Sequence, residues 1–227
     1  MPYTDSHLRP CYTSYFMVIY LMLKRILITI VIIILLIALP FSPMLIELAT
    51  GQTEPVNEIV KEGDIVFQTS QSQQSPLIQM GTRSMITHCG IVVMKGGKPY
   101  VLETQRTIVL TPLEKFIARG KDGRYWLKRP DRDNIKIKYK SYLGKPYDLA
   151  FKFDNGKFYC SELIYNVYLK QLGIELCEPK KVGDYLILGT GKLPKIEKAM
   201  KKRGITKEQY AVAPVDIFNS KHLNSID

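Results

Sequence analysis

One stretch of the chain has no polar interruption: Ile26 to Leu39 reads ILITIVIIILLIAL, and Pro40, Phe41 and Met44 to Ile46 prolong its apolar character. A spanning helix needs about 20 apolar residues, so residues 26–46 are expected to form a short membrane anchor or the core of an export signal. Lys24 and Arg25 stand before it and Arg9 further back, whereas residues 41–60 hold Glu47, Glu54 and Glu58 and no lysine or arginine. The positive-inside rule then places everything that follows on the non-cytoplasmic side. Ala49-Thr50-Gly51 has the small-residue alternation of a cleavage site, so retention or removal of the segment stays open, and Met17 and Met22 are alternative translation starts. Residues 1–25 read as a basic flank, and residues 47–60, with Gly51, Pro55 and polar neighbours, as a linker.

From residue 61 shorter β-branched runs take over. Asp64 to Gln68 (DIVFQ), opening after Gly63, and His88 to Met94 (HCGIVVM) predict two strands. The turn Lys95-Gly96-Gly97-Lys98 predicts a hairpin whose far arm is Tyr100 to Thr104. Between the first two strands, Gln68 to Thr87 is rich in Ser and Gln and predicts a surface excursion, either a loop or one bearing a helix. Thr111 as N-cap, Pro112 at the first position and Glu114 three residues after the cap predict a short helix to about Ala118. Tyr125 to Arg129 reads as a strand, and Ile135 to Tyr139 as a strand or the start of a helix. From Ser161 to Leu172, the residues Leu163, Ile164, Val167, Tyr168 and Leu172 mark one face of a helix that ends at Gly173. Strands in one block and this helix in another imply an α+β domain over residues 61–227, an antiparallel sheet with the helix packed on it. With 227 residues there is room for one such domain and an extension.

The net charge of +11 invites an anionic partner, and much of it lies in KLPKIEKAMKKR, Lys192 to Arg203. Ile196, Ala199 and Met200 recur there at helical spacing, so the lysines read as the solvated side of an amphipathic helix. No basic-aromatic module or zinc spacing accompanies the charge, and nucleic acid is not expected as a partner. Cys11, Cys89, Cys160 and Cys177 form no CxxC pair and no metal spacing. A pairing of Cys89 with Cys177 stays open, and both are otherwise expected to be buried, inert thiols.

Cys160 carries the candidate chemistry. It stands in FYCSEL, where a loop with Asp154-Asn155-Gly156 gives way to the predicted helix. A thiol at a helix N-terminus meets unpaired N–H groups and the positive end of the macrodipole, which favour the thiolate and supply an oxyanion donor. It needs an imidazole, and the folded part offers His88 and His222. His222 lies in a polar tail. His88 begins a strand and shares a face with Gly90 and Val92, which leaves room for a close approach. Glu103, within the apolar run Val101-Leu102-Glu103 of the neighbouring arm, is the candidate to orient the ring.

The segment YLGKPYDLAFKFDNGKFYCSELIYNVY, Tyr142 to Tyr168, resembles the nucleophile region of the NlpC-type cell-wall peptidases, where a Gly-x-Pro-Tyr turn precedes a Cys-Ser helix start. EGDIVF from Glu62, followed by THCGIVVM ending at Met94, resembles the region that carries their base. Here the order is reversed, so the resemblance is to the circularly permuted branch, the YiiX/YaeF-like papain-fold amidases. It implies a permuted papain-like fold with Cys160 as nucleophile, His88 as base and Glu103 at the third position. A carboxylate there departs from the histidine or amide of the unpermuted enzymes. The same matching puts Tyr147 and Tyr159 near the site, as substrate-positioning hydroxyls or as aromatic packing. The implied activity is hydrolysis of an amide or ester through a thioester at Cys160, on a peptide, cell-wall or lipid-derived substrate, with no metal or organic cofactor. Acyl transfer or thioester cleavage by the same thiol, and an inactive binding module at the membrane, are the alternatives.

Overall fold

The computed structural model describes residues 9–38, 42–53, 60–188 and 194–226, and these fall into two units, residues 1–42 and 43–227. In the first, α1 spans Arg9–Ala38, and within it Met17–Leu35 is long and apolar enough to cross a membrane, a test that a signal sequence also passes. The helical apolar run thus begins earlier than the expected Ile26. Lys24 and Arg25 do not end it, since long basic stems lie along an apolar helix while their charges reach for water.

Helix α2, Ser42–Thr50, lies in the second unit from Pro43 on, so residues 47–50 of the expected linker are helical, and residues 54–59 lie outside the described residues. A six-stranded antiparallel sheet follows: β1 (Ile65–Ser70), β2 (His88–Lys95), β3 (Lys98–Thr104), β4 (Ile108–Pro112), β5 (Gly120–Pro130) and, closing the chain, β8 (Leu223–Ile226), in the order β4-β3-β2-β1-β5-β8. The remaining strands, β6 (Lys180–Lys181) and β7 (Tyr210–Ala211), form a separate small ladder. The excursion before β2 carries helix α3, Ser75–Thr82, with Pro76 in its first turn.

Alternation along the strands divides the sheet between two cores. Ile65, Phe67, Cys89, Ile91 and Leu102 face α5, Cys160–Val167, whose Leu163, Ile164 and Val167 are fully buried against them. Val66, Val92 and Val101 face the other way, onto Leu113 and Phe116 of α4, Leu113–Ala118. After Val167 the helix widens into a π turn, Tyr168–Leu172, and Gly173 ends it at φ 67°, the left-handed cap that glycine takes without strain. Thr111 does not cap α4 as expected: it belongs to β4, Pro112 takes the cap position, and the Thr111 hydroxyl is used elsewhere. Ile135 to Tyr139 forms neither strand nor helix, although Ile135 and Ile137 are buried.

Asp64, at the start of β1, ties that strand to β5: Arg129 donates Nε to Oδ1 at 2.8 Å and Nη2 to Oδ2 at 2.7 Å, and the Lys61 N–H donates to Oδ2 at 2.7 Å. Asp64 is 1% exposed. Asp64→Ala removes three charge-assisted hydrogen bonds from a buried position and is expected to cost about 2–3 kcal/mol. Urea unfolding measures this, with reactivity of the folded fraction unchanged.

Candidate active site

Cys160 is the first residue of α5, 5% exposed, and Tyr159 before it takes the cap position in extended conformation (φ −98°, ψ 169°) with no side-chain cap. The first-turn amides of α5 therefore have no competing cap from Tyr159, and the thiol sits at the positive end of the helix. β2 starts at His88, and the hairpin to β3 brings Glu103 beside it on the same face. Gly90 makes this possible: a Cβ there would lie 2.3 Å from Val101 Cγ1 and 3.0 Å from the Leu102 carbonyl.

His88 Nε2 lies 2.8 Å from Glu103 Oε2, and His88 and Cys160 line the same cleft. Glu103 is fully buried and divides its oxygens between two tasks. Oε1 accepts from the Thr111 hydroxyl at 2.5 Å, from Gln105 Nε2 at 3.0 Å and from Arg119, while Oε2 faces the imidazole. Three donors on one oxygen fix the carboxylate plane, and the His88 ring is fixed in turn by stacking on Phe116, centroids 5.5 Å apart and planes at 22°. With Nε2 committed to Glu103, Nδ1 remains for the thiol.

These contacts set the charges. Burial alone would depress the His88 pKa, but the hydrogen bond to Cys160, and after it that to Glu103, carry it up to about 10. Burial alone would raise Glu103, but the bond to His88 leads the contributions that bring it down to about 2. Cys160 is held well below the ordinary thiol range, first by a hydrogen bond from the Cys89 side chain, against burial, and then by His88. Burial pushes Cys89 well up, so it stays a thiol and donates. Both directions favour a thiolate on Cys160 and an imidazolium on His88 near neutral pH.

The structure thus brings Cys160, His88 and Glu103 together, while His222 lies in the tail just before β8. Tyr147 borders the same space, and its hydroxyl points to Gln74 at 3.5 Å. The Tyr159 hydroxyl accepts the Val212 N–H at 3.1 Å, and its ring packs edge-on against Phe151. Cys89, Cys160 and Cys177 are free thiols; Cys177 is only half-buried, and Cys89 lies against the candidate nucleophile, a role its sequence position did not suggest. Nothing in the sequence signals what Gln105 and Arg119 do, and its pattern assigns Thr111 to a helix cap instead of to Glu103.

Two cavities meet at Cys160 and Tyr147. One is a cleft of about 900 Å³ of mixed character, whose polar lining includes Gln68, Gln71, His88, Thr104, Arg106 and Arg119. The other, about 140 Å³, is lined by apolar groups of α3, of α6 (Val182–Leu188) and of α7 (Pro194–Arg203), among them Leu77, Ile78, Leu186, Ile196 and Met200. Ile196, Ala199 and Met200 face inward here while Lys198, Lys201 and Lys202 are exposed, the arrangement expected of an amphipathic helix.

A helix bearing a cysteine at its first turn, packed on an antiparallel sheet that bears the histidine, defines a papain-like molecule, and here the sheet precedes the helix in the chain. Residues 59–227 match the family model of the permuted papain-like amidase enzymes YaeF/YiiX, family C92, and the chain belongs to that family. It is 33% identical over 174 residues to YiiX of Escherichia coli strain K12, covering 72% of this chain and 84% of that one. The crystal structure of YiiX from Escherichia coli O157:H7, described as a metalloprotein, superposes with a TM-score of 0.66 at 33% identity, over 74% of this chain and 96% of that one. In the present chain no three His, Cys, Asp or Glu side chains converge as a metal site among the described residues.

Proposed function

We propose that this protein is a membrane-anchored cysteine hydrolase that opens an amide or ester bond through a thioester on Cys160, with its domain on the non-cytoplasmic side. The observation that carries it is the convergence on one cleft of Cys160, the first residue of a helix, with His88 and Glu103, the last two 2.8 Å apart. The thiolate attacks the carbonyl carbon, and the oxyanion that forms is met by the Cys160 backbone N–H, a contact of the kind worth about 10²–10³ in rate. The His88 imidazolium gives its proton to the leaving amine or alcohol as the carbonyl–heteroatom bond breaks. Water then attacks the thioester, His88 takes its proton, and the acid leaves with thiolate and imidazolium restored. Glu103 holds the ring throughout. Tyr147, between the two cavities, borders the scissile group, and Tyr159 packs beneath it.

The paired cavities favour a lipid-derived substrate over a cell-wall peptide: an apolar acyl group in the smaller one and a polar leaving group in the cleft beside Arg106 and Arg119. The same geometry serves acyl transfer if an amine or alcohol in the cleft replaces water. Intact-mass analysis after mixing with a long-chain acyl 4-nitrophenyl ester tests the reading. An acyl adduct on Cys160 supports it, and label appearing only on other residues sinks it. Ala199→Trp, which fills the apolar cavity, is expected to lower kcat/KM for the long-chain ester about 10–100-fold and leave the acetyl ester nearly unaffected. Equal losses on both esters would count against the acyl assignment.

A further inference from the structure

The helix after the apolar segment is attached to the domain by a carboxylate and not by its hydrophobic residues. In α2 the buried residue is Glu47, 6% exposed, whereas Leu45, Ile46 and Leu48 are 59%, 63% and 42% exposed. Burial of apolar area therefore does little to hold it. Polar contacts do the holding: the Glu47 carboxylate accepts from the Ser84 hydroxyl at 2.7 Å and from the Met85 N–H, and the Glu47 carbonyl accepts the Trp126 indole N–H at 3.0 Å. Just beyond, Gln52 exchanges backbone hydrogen bonds with Tyr125 at 2.8 and 3.0 Å. Ala49-Thr50-Gly51, which reads as a cleavage signal, closes this docked helix: the Thr50 hydroxyl donates to the Ile46 carbonyl and the Gly51 N–H to the Glu47 carbonyl.

The partners of Glu47 lie on the run that delivers the base. Ser84 Oγ accepts the Ile86 N–H at 3.0 Å, Thr69 donates its hydroxyl to the Met85 carbonyl at 2.6 Å, and the Thr87 N–H donates to the Gln68 carbonyl at 3.1 Å. His88 follows at once. Residues 84–87 are thus held by β1 on one side and by Glu47 on the other. Without Glu47, the buried Ser84 hydroxyl and the Met85 N–H lose their acceptor, and the run must shift to satisfy them.

We propose that Glu47 is a positioning residue for His88, and that α2 is a retained part of the working protein, which acts with its membrane-proximal helix attached and not after cleavage at Ala49-Thr50-Gly51. The effect on reactivity rests on the thiolate–imidazolium reading of Cys160 and His88; the retention does not. The test uses the full-length protein extracted from membranes in detergent, read by N-terminal sequencing and by the pH profile of Cys160 alkylation with iodoacetamide. The mature N-terminus is expected ahead of residue 42. Glu47→Ala is expected to slow alkylation at pH 7 about tenfold or more and to move its profile toward that of an ordinary thiol. Glu47→Gln, which keeps one acceptor oxygen, recovers part of the loss, and Ser84→Ala gives a smaller shift in the same direction. A mature N-terminus at or after Gly51 overturns the proposal, as does an unchanged profile in folded Glu47→Ala, or in Ser84→Ala should Glu47→Ala not fold. Slow, ordinary alkylation of Cys160 in the unaltered protein overturns the hydrolase reading instead, and the N-terminus still decides the fate of the helix.

Discussion

Cys160→Ala is expected to lower kcat/KM by about 10⁴-fold or more while leaving the fold intact, because in the proposed mechanism the thiol supplies the bond that the reaction makes and breaks. Cys160→Ser is expected to lose nearly as much. The surroundings that stabilise a thiolate, namely the Cys89 thiol, the His88 imidazolium and the start of α5, fall far short of ionising a serine hydroxyl. The alanine variant also separates chemistry from stability. A thiolate held below the ordinary thiol range, and the raised His88 beside it, add stability to the fold at neutral pH, so the alanine variant is expected to keep its fold but melt at a somewhat lower temperature. Hydrolysis of the acyl ester and thermal unfolding of the same preparation measure both. Turnover within tenfold of the unaltered protein, with the fold unchanged, would show that the reaction runs through another group.

The parts of the site that were legible in the sequence are those whose environment is local. Cys160 follows a turn and opens a helical pattern, His88 opens a β-branched run, and Glu103 is an acid between apolar neighbours, so each position states its own setting. What was not legible depends on contacts between distant elements. Thr111 fits a cap motif letter by letter, yet β4 pairs with β3 and turns its hydroxyl onto Glu103. Cys89 reads as a core residue and is one, but the helix that packs on it begins with another sulfur. Glu47 reads as a flanking charge because nothing in SPMLIELAT says that the lone acid, and not the leucines, turns inward. Ile135 and Ile137 have the pattern of a strand but gain no ladder; their burial comes from packing alone.

Glu103→Gln should leave the pair assembled and change its pH range. In the unaltered protein His88 titrates at about 10 and Cys160 well below the thiol range, so activity is expected to persist through neutral pH and fall on the alkaline side as the imidazolium loses its proton near 10. An opposite charge within hydrogen-bond distance raises a histidine by about 1–3 units, so an amide in its place should move the alkaline limb down by about that much. The loss at pH 7 is then at most about twofold, while at pH 8 to 9 it grows to as much as about 10–100-fold and at pH 5 to 6 it is negligible. Stability follows the same groups with opposite signs. Glu103, depressed to about 2, contributes fully above its ordinary 4.5 and loses this as pH falls toward 2. His88, raised, contributes fully below its ordinary 6.5 and loses this as pH rises through about 10. The glutamine variant should therefore lose the acid-side dependence that Glu103 supplies and show an earlier alkaline decline, measured by urea unfolding across pH. Glu103→Ala goes further. It strips the acceptor from Thr111, Gln105, Arg119 and His88 at a fully buried position, at a cost of about 2–4 kcal/mol. If the alkaline limb of the Glu103→Gln profile coincides with that of the unaltered protein, the carboxylate does not hold the proton on His88, and its three other donors are what keep it in place.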